Sequence, residues 1–294
     1  MRNESDNIFI SLIVSTRNRG PALTKCLDAI SKLDSTRTWE LIVVDNGSTD
    51  NTRDVVETFR LKSGMNVLYT YEKVPGLSSA RNAGLSIARG EVIAFTDDDC
   101  YVETDYLNRL TLAFDDPSIG FVTGRVMLFD PTDFRVTINE STVYKHFAAG
   151  RYLAPGEVKG ANMAFRKIAL DQISGFDTDF GSGSLFPSED CDAAARVSLA
   201  GWAGTYDPTV CVYHHHGRKA NNLKRLYRDY DVGRGAYHAK LLLHCRKAEH
   251  FMQGLRGLPR RAIERPSAVF WEFSGAFRYA MTQMKGPTAR SRKS

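Results

Sequence analysis

The chain has 294 residues, 43% hydrophobic and 25% charged, with a formal net charge of +5. That composition excludes a disordered or fibrous protein and allows one large domain, alone or with an appendage. The charge is uneven: residues 221–294 carry 16 Lys+Arg and 5 Asp+Glu, a net of +11, leaving residues 1–220 with 23 and 29, a net of −6. An acidic body repels a phosphate backbone, so no nucleic-acid partner is expected.

The five cysteines, Cys26, Cys100, Cys191, Cys211 and Cys245, are scattered without CxxC spacing. That pattern predicts reduced thiols, as in a cytoplasmic protein, and argues against a disulfide framework or a zinc site. The polar opening Met1 to Asp6 has no signal-peptide pattern, and no apolar run is long enough to span a membrane.

Ile8 to Ser15 reads as a near-continuous apolar strand. Pro21 opens a helix with Leu23, Leu27, Ile30 and Leu33 at helical spacing. Trp39 to Val44 is a second strand ending on Asp45, and Asn46-Gly47-Ser48 forms a turn. Asp50 is placed to cap a second helix carrying Val55, Val56 and Phe59. A third strand at Asn66 to Tyr71, a third helix at Leu77 to Ala88 and a strand from Glu91 follow. Apolar strands alternating with helices predict a parallel sheet covered on both faces. Beyond residue 115 the rhythm loosens, with strands at Ile119 to Phe129, Val158 to Arg166 and Pro208 to Tyr213. A short helix is expected over Ser188 to Ala200 and a longer one from Asn221. Residues 285–294 are basic and small and are expected to lack fixed structure.

Asp97-Asp98-Asp99 stands at the carboxyl end of the fourth strand, where open α/β sheets bind ligands. In an extended chain Asp97 and Asp99 share a side and Asp98 faces away. Two same-side carboxylates can hold a hard divalent cation through oxygen; a solvated acidic turn is the plainer alternative. Asp45 ends its strand in the same way, so both acids are expected on one rim. There Asp45 either accepts a hydrogen bond from a base or ribose or holds its own turn. Arg81 lies at one edge of a packed helix face and can meet a phosphate or a nearby carboxylate.

Glu189 and Asp190 open the short helix. Asp190 shares a face with Ala193, Ala194 and Val197, so it is expected to point inward, where burial raises a carboxyl pKa toward that of a general base. Glu189 is expected on the outer face with Asp192 and Arg196, a pair four residues apart and suited to an ion pair. His214 and His216 share one side of a strand end, either as metal ligands or as solvated histidines.

Several segments occur in one order: Ser15-Thr16-Arg17-Asn18-Arg19, Val43-Val44-Asp45-Asn46-Gly47-Ser48-Thr49-Asp50, Ala80-Arg81-Asn82-Ala83-Gly84, Asp97-Asp98-Asp99, Gly160 to Arg166, Ser188-Glu189-Asp190-Cys191-Asp192 and Val212 to His216. Together they resemble the family 2 glycosyltransferases, inverting enzymes with the nucleotide-binding GT-A fold, over about residues 8–218. The resemblance implies an α/β, Rossmann-like catalytic domain over residues 1–220, with a mostly parallel mixed sheet, and a basic helical extension over residues 221–294. It implies a nucleoside-diphosphate sugar donor of UDP, GDP or dTDP type, a glycan or lipid-linked acceptor, and Mn2+ or Mg2+.

By the same resemblance Asp45 reads the base, Arg81 contacts the nucleotide, Asp97 faces the ribose, and Asp99 binds the metal with His214 nearby. Thr16, Arg17, Asp98 and Asn162 fall in the matching nucleotide-sugar motifs. Asp190 matches the general base, with Glu189 beside it. Many relatives carry a tyrosine where this chain has Arg17, so a guanidinium would stack on the base instead. A nucleotidyltransferase acting on a sugar phosphate is the competing enzyme class, but Ser15 to Pro21 lacks a glycine-rich phosphate cradle.

Residues 251–285 interleave Phe270, Trp271, Phe273 and Phe277 with Arg256, Arg260, Arg261, Arg265 and Arg278. Two readings stand open. One is peripheral attachment to the inner face of the cytoplasmic membrane. The other is a helical appendage packed on the catalytic domain, or on a second copy in a homodimer, with its arginines solvated or paired with the acidic body. Gly257, Pro259 and Pro266 break any single long helix there.

Overall fold

The structure, a computed structural model, describes residues 8–220 and 223–284. The first half alternates strand and helix: β1 (Ile10–Thr16), α1 (Gly20–Ile30), β2 (Trp39–Asp45), α2 (Thr52–Ser63), β3 (Val67–Tyr71), α3 (Leu77–Ile87) and β4 (Val92–Asp97). Then come β5 (Cys100–Val102), α4 (Tyr106–Ala113), β6 (Ile119–Leu128), β7 (Lys145–Phe147), β8 (Asn162–Arg166), α5 (Lys167–Gln172), α6 (Glu189–Leu199) and β9 (Ala203–His214). Helices α7 (Leu223–Leu243), α8 (Ala248–Leu255), α9 (Leu258–Glu264) and α10 (Pro266–Met284) complete the described chain.

The strands form one nine-stranded sheet in the order β3-β2-β1-β4-β8-β6-β9-β5, with β7 also paired to β9. β1 to β4, β6 and β9 run one way, and β5, β7 and β8 run the other. The sheet is therefore mixed and mostly parallel. Alternation within each strand feeds two cores. Leu12, Val14, Leu41 and Val43 face α1, α2 and α4, while Ile13, Ile42, Val44 and Phe95 face α3, α6 and the C-terminal helices.

Some local expectations shift. The strand expected from Val158 begins at Asn162, and the one expected from Pro208 extends back to Ala203. The short β5 and β7, three residues each, and the helix α4 were not anticipated. Three residues are too few to show a period, and their pairing to β9 is made with partners far along the chain. The basic stretch 285–294 lies outside the described residues.

The C-terminal helices are built into one of the two cores. Val232, Ala236, Tyr237 and Leu241 of α7 and Tyr279 of α10 belong to the cluster that contains Phe95, Phe121 and Val197. Two glycines let α7 and α10 cross backbone to backbone. A Cβ on Gly235 would lie 1.8 Å from the Glu272 carbonyl oxygen, and one on Gly275 would lie 2.0 Å from that of Val232. The Arg234 and Arg261 guanidiniums pair with the buried Glu272, and Arg265 pairs with the buried Asp231. These arginines are satisfied by acids of the extension itself, not by the acidic body.

A methyl group at position 235 has no room without moving backbone. Gly235→Ala should therefore lower unfolding stability by about 1–3 kcal/mol or more, the scale of an overpacked contact. Urea denaturation would measure it; a variant as stable as the parent would contradict the close crossing.

Candidate active site

The site assembles on the carboxyl rim of the parallel strands. β1 lies between β2 and β4, so Asp45 and Asp97 are not on neighbouring strands: Thr16 pairs in register with Asp45, and Ser15 with Asp97. Asp45 is buried and held from both sides. Its Oδ2 accepts a hydrogen bond from the Tyr69 hydroxyl at 2.9 Å, and its Oδ1 accepts from the Ser48 amide at 2.7 Å. Burial and the Asp45 carboxylate push the Tyr69 phenol up to about 12. The Asn46 carboxamide pins the next loop, donating to the Glu72 and Val74 carbonyls and accepting from the Gly76 amide.

The acidic triplet is not extended as expected. β4 ends on Asp97, β5 begins at Cys100, and Asp98 and Asp99 form the turn between them. Both turn acids are buried. Asp98 accepts from the Thr16 hydroxyl at 2.7 Å and meets Arg19 Nε at 3.1 Å. Burial outweighs those partners and raises its pKa to about 7. Asp99 pairs with Arg19 Nη2 at 2.6 Å, and its Oδ1 lies 3.2 Å from His214 Nε2. Burial opposes the Asp99 charge, but His214 and Arg19 prevail and lower its pKa to about 2.

β9 brings His214 here by pairing it with Cys100 in register. Ligand atoms of Asp97, Asp99, Cys100 and His214 all lie within 4.8 Å of one another. These residues fit a divalent cation. Asp99 Oδ1, which faces only the His214 ring, and His214 Nδ1 both lack a hydrogen bond, although both atoms are buried. The carboxylate and imidazole donors suit Mg2+ or Mn2+. Burial and the flanking carboxylates hold the Cys100 thiol protonated, which removes it as a soft ligand. His216 shares the side of His214, with ring centroids 5.1 Å apart, but its Nδ1 faces Asp133 at 3.6 Å. A second acidic pair, Asp130 and Asp133, is bridged by the Lys219 ammonium.

Arg81 sits between the rim and α6. It is 2% exposed, packed near the Phe95 and Phe176 rings. Its Nη1 donates to Glu189 Oε1 at 2.7 Å, and its Nη2 donates to the Gly160 carbonyl at 3.2 Å and lies 3.6 Å from Asp97 Oδ1. Its guanidinium is thus engaged by protein groups, which favours the carboxylate reading of this residue over direct contact with a nucleotide.

Of the two acids that open α6, Glu189 departs from the outer position expected of it, while Asp190 turns its carboxylate inward onto the Gly160 amide. Glu189 is the buried one, paired with Arg81, and Asp190 is half-buried. A helical wheel counts only apolar neighbours, and here a cation from α3 lies against the first turn. Ser188, just before them, adopts a left-handed backbone with φ of 92°, a strained conformation for serine. Asp190 Oδ2 accepts from the Gly160 amide at 2.9 Å, and its Oδ1 accepts from the Cys191 amide at 2.7 Å. Burial, with the neighbouring Glu189 charge, raises its pKa to about 6. Asp192 makes the expected ion pair with Arg196 at 2.9 Å and is also bound by the buried Lys240 of α7 at 2.6 Å.

Arg17 is exposed beside this rim. Asn162 departs from its expected role: it is buried in the sheet, where its amide donates to the Arg125 and Val210 carbonyls and accepts from the Tyr106 hydroxyl. Every one of those contacts is structural. Sequence reasoning passed over Arg19, Tyr69, Gly160 and Lys240. Arg19 lay inside a quoted motif, but its acids are about eighty residues away in sequence, so no local pattern marked it.

An acidic rim at the carboxyl ends of the parallel strands of a mixed α/β sheet, with a half-buried carboxylate opposite, defines a GT-A class transferase. The model of the glycosyl transferase family 2 matches residues 11–173. The chain belongs to that family and is a glycosyltransferase, which decides against the nucleotidyltransferase alternative. It is 24% identical over 235 residues to the glycosyltransferase AglE of Haloferax volcanii, covering 77% of this chain and 72% of that one. It is 30% identical over 125 residues to the glycosyltransferase GlyG of Streptococcus pneumoniae, covering 42% of this chain and 41% of that one. Among solved structures, Staphylococcus aureus TarS 1–349 with UDP-GlcNAc is similar at a TM-score of 0.64 and 19% identity, covering 84% of this chain and 72% of that one. The mannosyltransferase PcManGT of Pyrobaculum calidifontis with GDP-Man and Mn2+ is similar at a TM-score of 0.59 and 23% identity, covering 96% and 77%.

Breaking the buried Arg81–Glu189 pair from one side leaves a charge stranded. Arg81→Met should cost about 3–5 kcal/mol in unfolding stability, and pairing it with Glu189→Gln should recover part of that loss. Chemical denaturation of both singles and the double tests this. Strictly additive losses would mean that the two side chains are not energetically coupled.

Proposed function

We propose that the protein transfers a sugar from a nucleoside-diphosphate sugar to a hydroxyl of a glycan or lipid-linked acceptor, inverting the anomeric centre. The observation that carries this reading is a single half-buried carboxylate, Asp190, separated from the acidic rim by the Arg81 guanidinium. One base carboxylate serves a single displacement, whereas a retaining hydrolase needs two carboxyls flanking the bond. The chemistry belongs to residues 1–220, and α7 of the extension over residues 221–294 braces α6 through Lys240 and Asp192.

Asp45 accepts from the base, its carboxylate held ready by Tyr69 and Ser48. Arg17 stacks on that base, and Thr16 and Asp98 line the floor beneath the diphosphate. Asp97 faces the ribose. Asp97, Asp99 and His214 would hold Mn2+ or Mg2+, which supplies charge stabilisation to the departing diphosphate. Asp190 takes the proton of the attacking hydroxyl, and Glu189, tied to Arg81, orients the first turn of α6. The similar structures solved with UDP-GlcNAc and with GDP-Man and Mn2+ support a nucleoside-diphosphate sugar donor, which we take to be of UDP, GDP or dTDP type.

Asp190→Asn should cut turnover by ~10²-fold or more while leaving donor affinity nearly unchanged. Assays of kcat and of nucleotide binding by calorimetry separate the two; near-normal turnover in the folded variant would move the base role to another group. The sign of the pH effect follows from the raised pKa of about 6. The base works when ionised, so kcat/KM should rise with pH through about 6 and level off above it. A profile already flat from pH 5 would contradict the assignment.

Asp99→Asn should weaken the binding of Mn2+ and of the nucleotide together. Calorimetric titration of Mn2+ alone and of the nucleotide with Mn2+ would measure it. Undiminished activity of the parent in excess chelator would exclude the metal role.

A further inference from the structure

Helix α10 is apolar on its outer side. Phe270, Phe273, Phe277, Met281 and Met284 are all exposed, the three phenylalanines at 61–67%. At 3.6 residues per turn these five fall within about 80° of the helix circumference. The buried residues of the same helix, Ala268, Glu272, Gly275 and Tyr279, lie on the opposite side against α7. The helix thus buries Ala268, Glu272, Gly275 and Tyr279 and presents a row of large apolar side chains on its outer side. Ile263 of the adjoining α9 is 84% exposed.

The C-terminal sequence that carries this face is basic, although one of its exposed arginines, Arg260, is paired with Glu264. Arg256, Arg260 and Arg278 are exposed in the same C-terminal segment. The ten residues after Met284 contain Lys285, Arg290, Arg292 and Lys293 and no acid. No helix among the described residues is long and apolar enough to cross a membrane. A row of phenylalanines in a basic C-terminal sequence, on a helix that cannot span, suits an anionic lipid surface: rings enter the acyl boundary while cations of the segment meet the headgroups. A second copy is the poorer occupant, because matching the two rows would bring together two segments that each carry +11.

We infer that the outer face of α10, led by Phe270, Phe273 and Phe277, docks the protein on an anionic membrane surface. The inference goes beyond sugar transfer and does not rest on it. The apolar row supplies insertion, and the basic sequence after Met284 supplies attraction that salt weakens.

The test is cosedimentation of the full chain with vesicles of phosphatidylcholine alone or with phosphatidylglycerol, at low and high salt, with no sugar donor present. Binding to the anionic vesicles is expected to fall at least several-fold at high salt and to be far weaker on phosphatidylcholine alone. The triple variant F270S/F273S/F277S should lose at least tenfold in partitioning, with unchanged melting temperature and unchanged metal-dependent release of nucleoside diphosphate. K285Q/R290Q/R292Q/K293Q should lose the salt-sensitive part alone. Parent protein that stays in the supernatant with anionic vesicles overturns the proposal. So does light scattering that finds a dimer which the triple variant reduces to a monomer while vesicle binding persists.

Discussion

A single buried guanidinium, that of Arg81, holds together segments far apart in the chain. α3 carries it, Glu189 at the start of α6 pairs with it, the Gly160 carbonyl accepts from it, and Asp97 at the end of β4 lies close by. The charge is almost wholly removed from water, so its cost is tolerable only while those acceptors surround it. The acidic rim and the helix that carries Asp190 are thereby fixed to the same point. The two aromatic rings beside it, Phe95 and Phe176, exclude water from the junction.

The site also sorts its carboxylates by environment. Asp99 is kept ionised by His214 and Arg19, Asp98 is pushed toward neutrality by burial, and Asp190 is raised into the range where a carboxylate can accept a proton and still be mostly ionised near neutral pH. Similar residues acquire different tasks because desolvation and neighbouring charge act on each in different proportion. That separation rests on backbone geometry as much as on side chains. The turn at Asp98 and Asp99 buries both acids, and the Gly160 amide steadies Asp190.

The parts of this arrangement that repeat locally were legible in the sequence. β1 to β4 and α1 to α3 announced themselves by apolar runs and helical spacing, and Asp45 and the acidic triplet stood visibly at strand ends. The i,i+4 pair of Asp192 and Arg196 was legible for the same reason. What depends on distant partners was not. Glu189 looked like a surface acid because Arg81 is 108 positions away in sequence. Asn162 looked like a binding residue by its motif, and only the approach of β6 and β9 reveals that its amide is spent on their carbonyls. Arg19 gave no periodic signal at all. Long-range pairing, unlike amphipathicity, leaves no trace in a local window.

The glycine crossing of α7 and α10 has a mechanical side. Side chains between two helices act as a cushion, since rotamers can shift to absorb a displacement. At Gly235 and Gly275 main chain meets main chain, so the cushion is missing. α7 in turn abuts the residues just before α6, where Gly233 packs against the Pro187 carbonyl, and Lys240 grips Asp192 within it. Stiffness therefore runs unbroken from the outermost helix to the turn that bears Asp190. A displacement of α10 is therefore felt at the turn that bears Asp190.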